Sequence, residues 1–472
     1  MAHPPSYPQV PVLGSLPAFY PWLKKGQMFM FLRHGNSELN SPIVTHNLFG
    51  NNEFHVSDPA TIRRILTSPD FARSDFLIKN SKDLFRYFLF GMASDPVWKK
   101  HRKAIQSGMG PQFVRKSFTA TVVLMADLVN MWNARLMDPE AGAVVVDIRD
   151  YLSAVTLDVI ARVAFDFNVA CLEKMGSASV KRTSTVQHHV NQLSRAMVLR
   201  LFMPKMLYPL FRVTKQALRA STKYFMDMVG LFLESRQKKA KEEVDGDGDG
   251  DLLGILLKND QDGKPTFSEQ EIQHEVLAIM LAGHDTTSNT LTNVFLHLTQ
   301  NPSIVAKLEQ EIQDVLGTDK SQPLEFADLP KFKYVENTFK EAQRINPVIM
   351  GADRVATTDV EVLGYKFKKG AYFSCNLQWA SLNPSIWGPD AHVFNPDRFD
   401  SPDVPNAALM PFSAGPHMCP GFKMAQMEAK VVLIELVRNF GFELVEGQRL
   451  KFEDGVTIHL AEGLKVRVVK KD

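Results

Sequence analysis

The chain has 472 residues, 45% hydrophobic and 22% charged, with a formal net charge of +2. This balance supports a large buried core, and without a face-long basic block it excludes nucleic acid as the main partner. Cys171, Cys375 and Cys419 show no paired spacing, which excludes a disulfide framework and fits a reducing compartment or a cytosol-facing surface.

In chain order, the start is proline-rich (residues 1–20), a composition that usually connects two elements. Short β-prone pieces follow at Ile43–Phe49 and Glu53–Val56, then a short helix at Ala60–Leu66. From Trp98 to Arg236 the periodicity is mainly helical. Lys241–Asp251 reads as a solvated loop. Its Asp245, Asp247, Asp249 and Gly250 match the first half of a calcium loop, but Leu256 stands where a bidentate glutamate belongs, so the cage is incomplete.

Ser268 and Glu271 form a capping-box pair, and apolar periodicity then runs to Leu298, where Asn301-Pro302 ends it. A rod of about thirty residues spans ~45 Å, enough to cross a domain. Gly283, Asp285 and Thr286 are poor helix-interior choices, which predicts a local distortion at mid-rod. Helices are expected at Ser303–Leu316 and Lys331–Ile345, a hairpin region over 360–376, a helix at Phe422–Asn439 and short strands at the end. Length alone allows about three domains, yet no interior linker or repeat interrupts the pattern, so one mainly α domain over 1–472 with a minor β region is expected.

Cys419 lies between two proline–glycine turns in Pro411-Phe-Ser-Ala-Gly-Pro-His-Met-Cys-Pro-Gly-Phe422, directly before a helix. His417 and Cys419 supply only two of the four ligands zinc needs, and the Cys-x-x-Cys-His of covalent haem attachment is absent. A catalytic thiol at a helix N-terminus, a thiolate ligand to haem iron and an inert buried cysteine all fit the loop by itself.

Phe412-x-x-Gly415-x-x-x-Cys419-x-Gly421, with Ala425 and Glu428, resembles the haem-binding loop of the cytochromes P450. Further motifs resemble that family in the same order: Trp98-x-x-x-Arg102, Ala282-Gly283-His284-Asp285-Thr286-Thr287, and Glu341-x-x-Arg344 with Asn395-Pro-Asp-Arg398-Phe399. The resemblance implies the P450 fold, haem b with Cys419 as the iron ligand, and a monooxygenase using O2 and two electrons. It implies oxygen activation and proton relay by Asp285 and Thr286, propionate contacts from Trp98, Arg102, Arg354 and His417, and a structural triad of Glu341, Arg344 and Arg398. Gly415 and Gly421 would clear space for the macrocycle beside Phe412. The His417 position is usually arginine in the family, and an imidazole there would carry a pH-dependent charge. Ser381-Leu382-Asn383-Pro384 is a second departure, since a His-Arg pair often stands there. His284 and His392 read as ordinary structural histidines. By the same resemblance the substrate pocket would involve Phe85, Phe88, Phe90, Ile279, Ala282, Val348, Ile349, Thr457 and Ile458. This apolar set suits a steroid, fatty acid, terpenoid or xenobiotic.

No GxGxxG fingerprint follows the cysteine loop, so electrons would come from NADPH–cytochrome P450 reductase or cytochrome b5. The cluster Lys99, Lys100, Arg102 and Lys103, with Lys423, would offer an acidic partner a docking face. No run approaches the ~18–20 apolar residues of a membrane span, and no signal peptide is visible. Met197–Phe211 is apolar with interspersed basic residues and suits an interfacial membrane contact. With the proline-rich start, it suggests a monomeric enzyme of the endoplasmic reticulum membrane, cytosolic face, whose N-terminal anchor is missing. A non-catalytic haem carrier or sensor, or an enzyme of this fold that rearranges its substrate without O2, are the alternatives.

Overall fold

The computed structural model describes residues 3–10, 14–25, 27–48, 51–74, 86–137, 144–176, 188–193, 196, 212–242 and 251–471. Phe85, the segment 197–211 and the aspartate-rich tract at 243–250 lie outside them. The principal helices are α1 (Leu16–Lys25), α2 (Met28–Glu38), α3 (Pro59–Thr67), α4 (Pro96–Gly108), α5 (Pro111–Leu136), α6 (Ile148–Phe165), α7 (Arg212–Glu242), α8 (Glu269–Leu298), α9 (Pro302–Leu316), α10 (Lys333–Ile345) and α11 (Phe422–Asn439). A smaller sheet has β1 (Ile43–Leu48), β2 (Asn51–Val56), β3 (Phe71–Ala72), β4 (Gly351–Ala356) and β5 (Tyr372–Asn376), in the order β1-β2-β5-β4-β3. The architecture is mainly helical with a minor β region, as expected.

The long rod is α8, and it starts as the sequence dictates. The Ser268 hydroxyl accepts from the Glu271 amide while the Glu271 carboxylate takes the Ser268 N–H at 2.8 Å. Nearly every residue from Ile272 to Leu298 is buried or half-buried, because α8 runs through the core against α6, α10 and α11. The expected distortion at mid-rod is absent: α8 is continuous over Glu269–Leu298. Gly283 has a packing reason instead. A Cβ there would lie 2.8 Å from Ile160 Cγ1, so glycine lets α6 approach. The Thr286 hydroxyl donates to the Ala282 carbonyl at 2.8 Å, satisfying its polarity within the helix.

The N-terminal sheet holds a buried histidine pair. His46 stacks on Tyr7 and meets His55 edge-on at 4.5 Å, and neither His46 nitrogen has a hydrogen-bond partner. Burial, and after it the neighbouring His55 ring, pushes His46 down to about 2, and burial alone pushes His55 to about 3. The folded state therefore binds fewer protons than the unfolded state below the ordinary histidine pKa, so stability falls with falling pH from about 6.5. At pH 5 the pair should cost about 2 kcal/mol per histidine relative to pH 8. Urea midpoints of the wild type and of His46→Phe check this, and an equal acid sensitivity in both would contradict it.

Candidate active site

α8 forms one wall of a cavity of about 470 Å³, and the loop carrying Cys419 forms the floor. That volume lies in the range of small-molecule sites. Of the three cysteines, all free, Cys419 is the one that reaches this cavity. Cys375 is fully buried on β5 of the small sheet, and burial pushes its thiol up to about 12. Cys171 packs beside Asp158, whose carboxylate takes the Cys171 and Leu172 amides at 2.9 Å.

The Cys419 loop is held by its backbone. The Cys419 N–H donates to the Phe412 carbonyl at 2.9 Å, and the Gly421 N–H faces the sulfur at the start of α11. Burial raises the Cys419 thiol above its ordinary range, with the Gly421 amide and Arg102 opposing the rise. Gly421 lines the cavity, and a Cβ there would meet nothing within 4 Å. Gly415 has a packing reason of its own: its φ of +71° and the contact a Cβ would make with the Leu66 carbonyl show that glycine seats this loop on α3.

Several charged donors gather at one edge of the cavity. In α4, Asp95 caps the helix by accepting the Trp98 N–H, and Trp98, His101, Arg102 and Ile105 form its inward face. His417 lies 4.0 Å from the Trp98 ring, and its Nε2 is 2.7 Å from Ser94 Oγ. Its Nδ1, Arg102 Nε and Arg354 Nη2 are buried without partners. Arg73 joins this group at the cavity edge and donates to the Leu89 carbonyl at 3.2 Å. Burial, then Arg73, Arg354 and Arg102, push His417 down to about 3, so the imidazole is neutral and the guanidinium groups carry the charge. Unpaired buried cations are costly, and three converging arginines with a neutral N–H donor fit the two carboxylates of haem.

The sequence motifs do not include Arg73, which follows a two-residue strand with no periodic signal. Arg73→Leu should speed haem loss roughly tenfold or more, the worth of one charge-assisted hydrogen bond. Haem transfer to apomyoglobin checks this, and an unchanged rate would remove Arg73 from the cluster.

On the opposite side, Asp285 and Thr286 line the same cavity. Asp285 Oδ1 accepts from Asn289 Nδ2 at 3.0 Å, and its other oxygen accepts from the Thr457 hydroxyl. Burial alone would raise this carboxyl, but His284, Arg149 and the Thr457 hydroxyl outweigh it and hold the pKa below its usual range. Phe88, Phe90, Ile279, Ala282, Val348 and Ile349 line the cavity as expected, and so does Thr457, although its hydroxyl serves Asp285. Ile458 is not in the lining; its amide bonds Val348 and its neighbour Val456 takes the place. His284 is fully buried and bonds the Met280 carbonyl, while His392 is exposed.

The triad forms in full. Arg344 makes a two-pronged pair with Glu341, both bonds at 2.7 Å, and Arg398 Nε reaches Glu341 Oε1 at 3.2 Å. The basic cluster divides: Lys99, Lys103 and Lys423 are exposed, whereas Arg102 turns inward and Lys100 pairs with Glu271 at 2.9 Å.

A free thiol facing a cavity edged by three arginines, with an acid and an alcohol in the same lining, defines a haem-thiolate protein. The chain belongs to the cytochrome P450 family, whose model matches residues 4–463. Cytochrome P450 4c21 of Blattella germanica is 28% identical over 470 residues, covering 95% of this chain and 90% of its own length. Protein LUTEIN DEFICIENT 5, chloroplastic, of Arabidopsis thaliana is 27% identical over 433 residues, covering 88% and 70%. The ultra-long-chain fatty acid omega-hydroxylase of Homo sapiens is 25% identical over 434 residues, covering 86% and 78%. The cofactor is haem b, and the chain is a haem-thiolate monooxygenase that acts on lipophilic substrates with O2. No helix among the described residues is long and apolar enough to cross a membrane.

Proposed function

We propose that this protein hydroxylates an elongated lipophilic substrate, with Cys419 as iron ligand and Asp285 and Thr286 serving proton delivery. Bound haem supplies the oxidising power: one atom of O2 enters a C–H bond, and the other leaves as water with two protons and two electrons from a partner. The observation that carries the reading is a single cavity with Cys419 on its floor and Asp285 and Thr286 in its opposite wall. Trp98, His417, Arg73, Arg102 and Arg354 would hold the propionates. The Gly421 amide steadies the thiolate. Asp285, ionised at neutral pH, takes a proton from solvent and passes it toward Thr286, whose hydroxyl is oriented by the Ala282 carbonyl.

An acid–alcohol pair in the cavity wall favours O2 chemistry over a carrier, a sensor or a rearranging enzyme, none of which needs protons delivered there. The apolar lining and the likeness to a fatty acid omega-hydroxylase support a long-chain substrate. Exposed Lys99, Lys103 and Lys423 suit an acidic surface on NADPH–cytochrome P450 reductase or cytochrome b5. Peripheral contact with the endoplasmic reticulum membrane through 197–211, as a monomer, completes the proposal. The reduced protein with CO should show the red-shifted Soret band of thiolate ligation. Cys419→Ser should abolish it, while Cys171→Ala and Cys375→Ala should keep it. A wild-type band at the histidine-ligated position would overturn the assignment.

A further inference from the structure

Glu275 lies on α8 eleven residues before Thr286, about 16 Å along the helix axis at 1.5 Å per residue. It is fully buried and belongs to the wall of the same cavity. A chain of hydrogen bonds from the surface inward fixes its protons. Glu271 Oε2 accepts from the Ser268 amide and hydroxyl, and Glu271 Oε1 accepts from Lys100 at 2.9 Å and from His101 Nε2 at 3.1 Å. Those donors, against the rise from burial, hold Glu271 at about 2, so it is ionised and only accepts. His101 Nε2 therefore carries a proton toward Glu271. His101 Nδ1 lies 2.8 Å from Glu275 Oε1. One proton is shared across that contact, and on whichever atom it rests, Glu275 Oε2 is left as an acceptor.

Oε2 has no hydrogen-bond partner. The Leu89 amide on the facing loop favours the charged carboxylate, while burial raises the pKa overall, and neither closes a bond to Oε2. A buried acceptor left unmade is expensive. Between Glu275 and Thr286, α8 lines the cavity with Ala278, Ile279, Leu281, Ala282, Gly283 and, next to Thr286, Asp285; Phe88 and Leu89 also line it. Along this stretch of α8 the cavity wall is mainly apolar, with the Glu275 carboxylate towards one end and Thr286, across from Cys419, at the other.

On the monooxygenase reading, we infer that Glu275 is a specificity-determining residue whose Oε2 accepts a hydrogen bond from a hydroxyl at the far end of an elongated apolar substrate. That bond sets the register of the substrate and so selects the carbon that reaches the Thr286 end. A glutamine at this position donates its amide N–H to His101 Nδ1 and keeps its carbonyl where Oε2 stands. A leucine fills the same space without an acceptor.

The test uses the haem-loaded protein with dodecanol and dodecyl methyl ether, the second lacking the donor. Dissociation constants are read from the spin-state shift of the Soret band. The wild type should bind the alcohol roughly tenfold more tightly than the ether, the worth of one buried hydrogen bond. Glu275→Leu should lose that preference by weakening the alcohol alone, and Glu275→Gln should restore it. The position of hydroxylation on dodecanol should spread along the chain in the leucine variant and not in the glutamine variant. An equal weakening of both ligands would assign Glu275 a packing role and overturn the inference. So would a wild type that ignores the donor or binds neither compound. The CO band, recorded on each variant, separates the two levels: thiolate ligation with no preference for alcohol sinks the anchor and leaves the monooxygenase reading standing. A wild type without thiolate ligation sinks both.

Discussion

Glu341→Gln should destabilise the protein by about 3–5 kcal/mol, the cost of removing one partner from a buried ion pair. Glu341 and Arg344 are both fully buried, and Arg398 is 9% exposed. Glu341 Oε1 accepts from Arg344, Arg398 and the Asn395 amide, while Oε2 accepts from Arg344 Nε. Glutamine offers one acceptor where two charged oxygens stood, and leaves the buried Arg344 without its counter-charge, while Arg398 keeps Asp390 at 3.0 Å.

Replacing the pair by apolar residues should not rescue the fold. Buried ion pairs are often replaceable at little cost, but here Arg344 also donates to the carbonyls of Ser381, Ala391 and Val393 at 2.9, 2.6 and 3.3 Å. Glu341→Leu with Arg344→Met would strand the Ser381 and Ala391 carbonyls and leave Val393 only its longer bond from Arg398 at 3.4 Å. Urea midpoints of the single and double variants, followed by loss of the CO band, check both statements. A loss under about 1 kcal/mol in Glu341→Gln would mean the triad behaves like an exposed pair.

What the sequence made legible follows from how local each signal is. The capping box at Ser268 and Glu271 and the run to Leu298 are written in neighbouring residues, so α8 could be read to within one residue. Phe422–Asn439 emerged with the expected bounds for the same reason. Glu341 and Arg344 are one turn apart, so their pairing was readable, but their anchoring of carbonyls at 381–393 depends on a chain path no periodicity encodes. The packing reasons for Gly283 and Gly415 are not legible in the sequence, because their neighbours Ile160 and Leu66 are remote from them along the chain. Helices α1 and α2 were hidden by the proline-rich start, although Pro21 sits inside α1. Arg73, Thr457 and Glu275 acquire their roles through partners at sequence separations from 16 to 174, which only the fold brings together.

Asp285→Asn should lower the rate of product formation about a hundredfold or more, the contribution expected of a positioned proton donor. The fold should survive, because an asparagine carbonyl still accepts from Asn289 or Thr457 and buries no new charge. The loss should come with an increased solvent isotope effect, since proton delivery becomes slower and limits turnover. Thr286→Ala should behave differently. It removes a hydroxyl next to the reacting end of the cavity and leaves the acid intact, so reductant consumption continues and is diverted to peroxide. Thr457→Val separates binding from chemistry at the acid itself. The Thr457 hydroxyl and Asn289 hold the carboxylate on the side of α8 facing the Val456–Thr457 turn. A proton donor must leave that position to reach Thr286, so the clamp stabilises the resting state more than the transition state. Freeing it should raise peroxide formation without substrate, while Thr457→Ser restores the wild-type ratio. If Asp285→Asn turns over within threefold of the wild type with an unchanged isotope effect, Asp285 is not the donor. The Thr457–Asn289 contacts then serve only to satisfy a buried carboxylate.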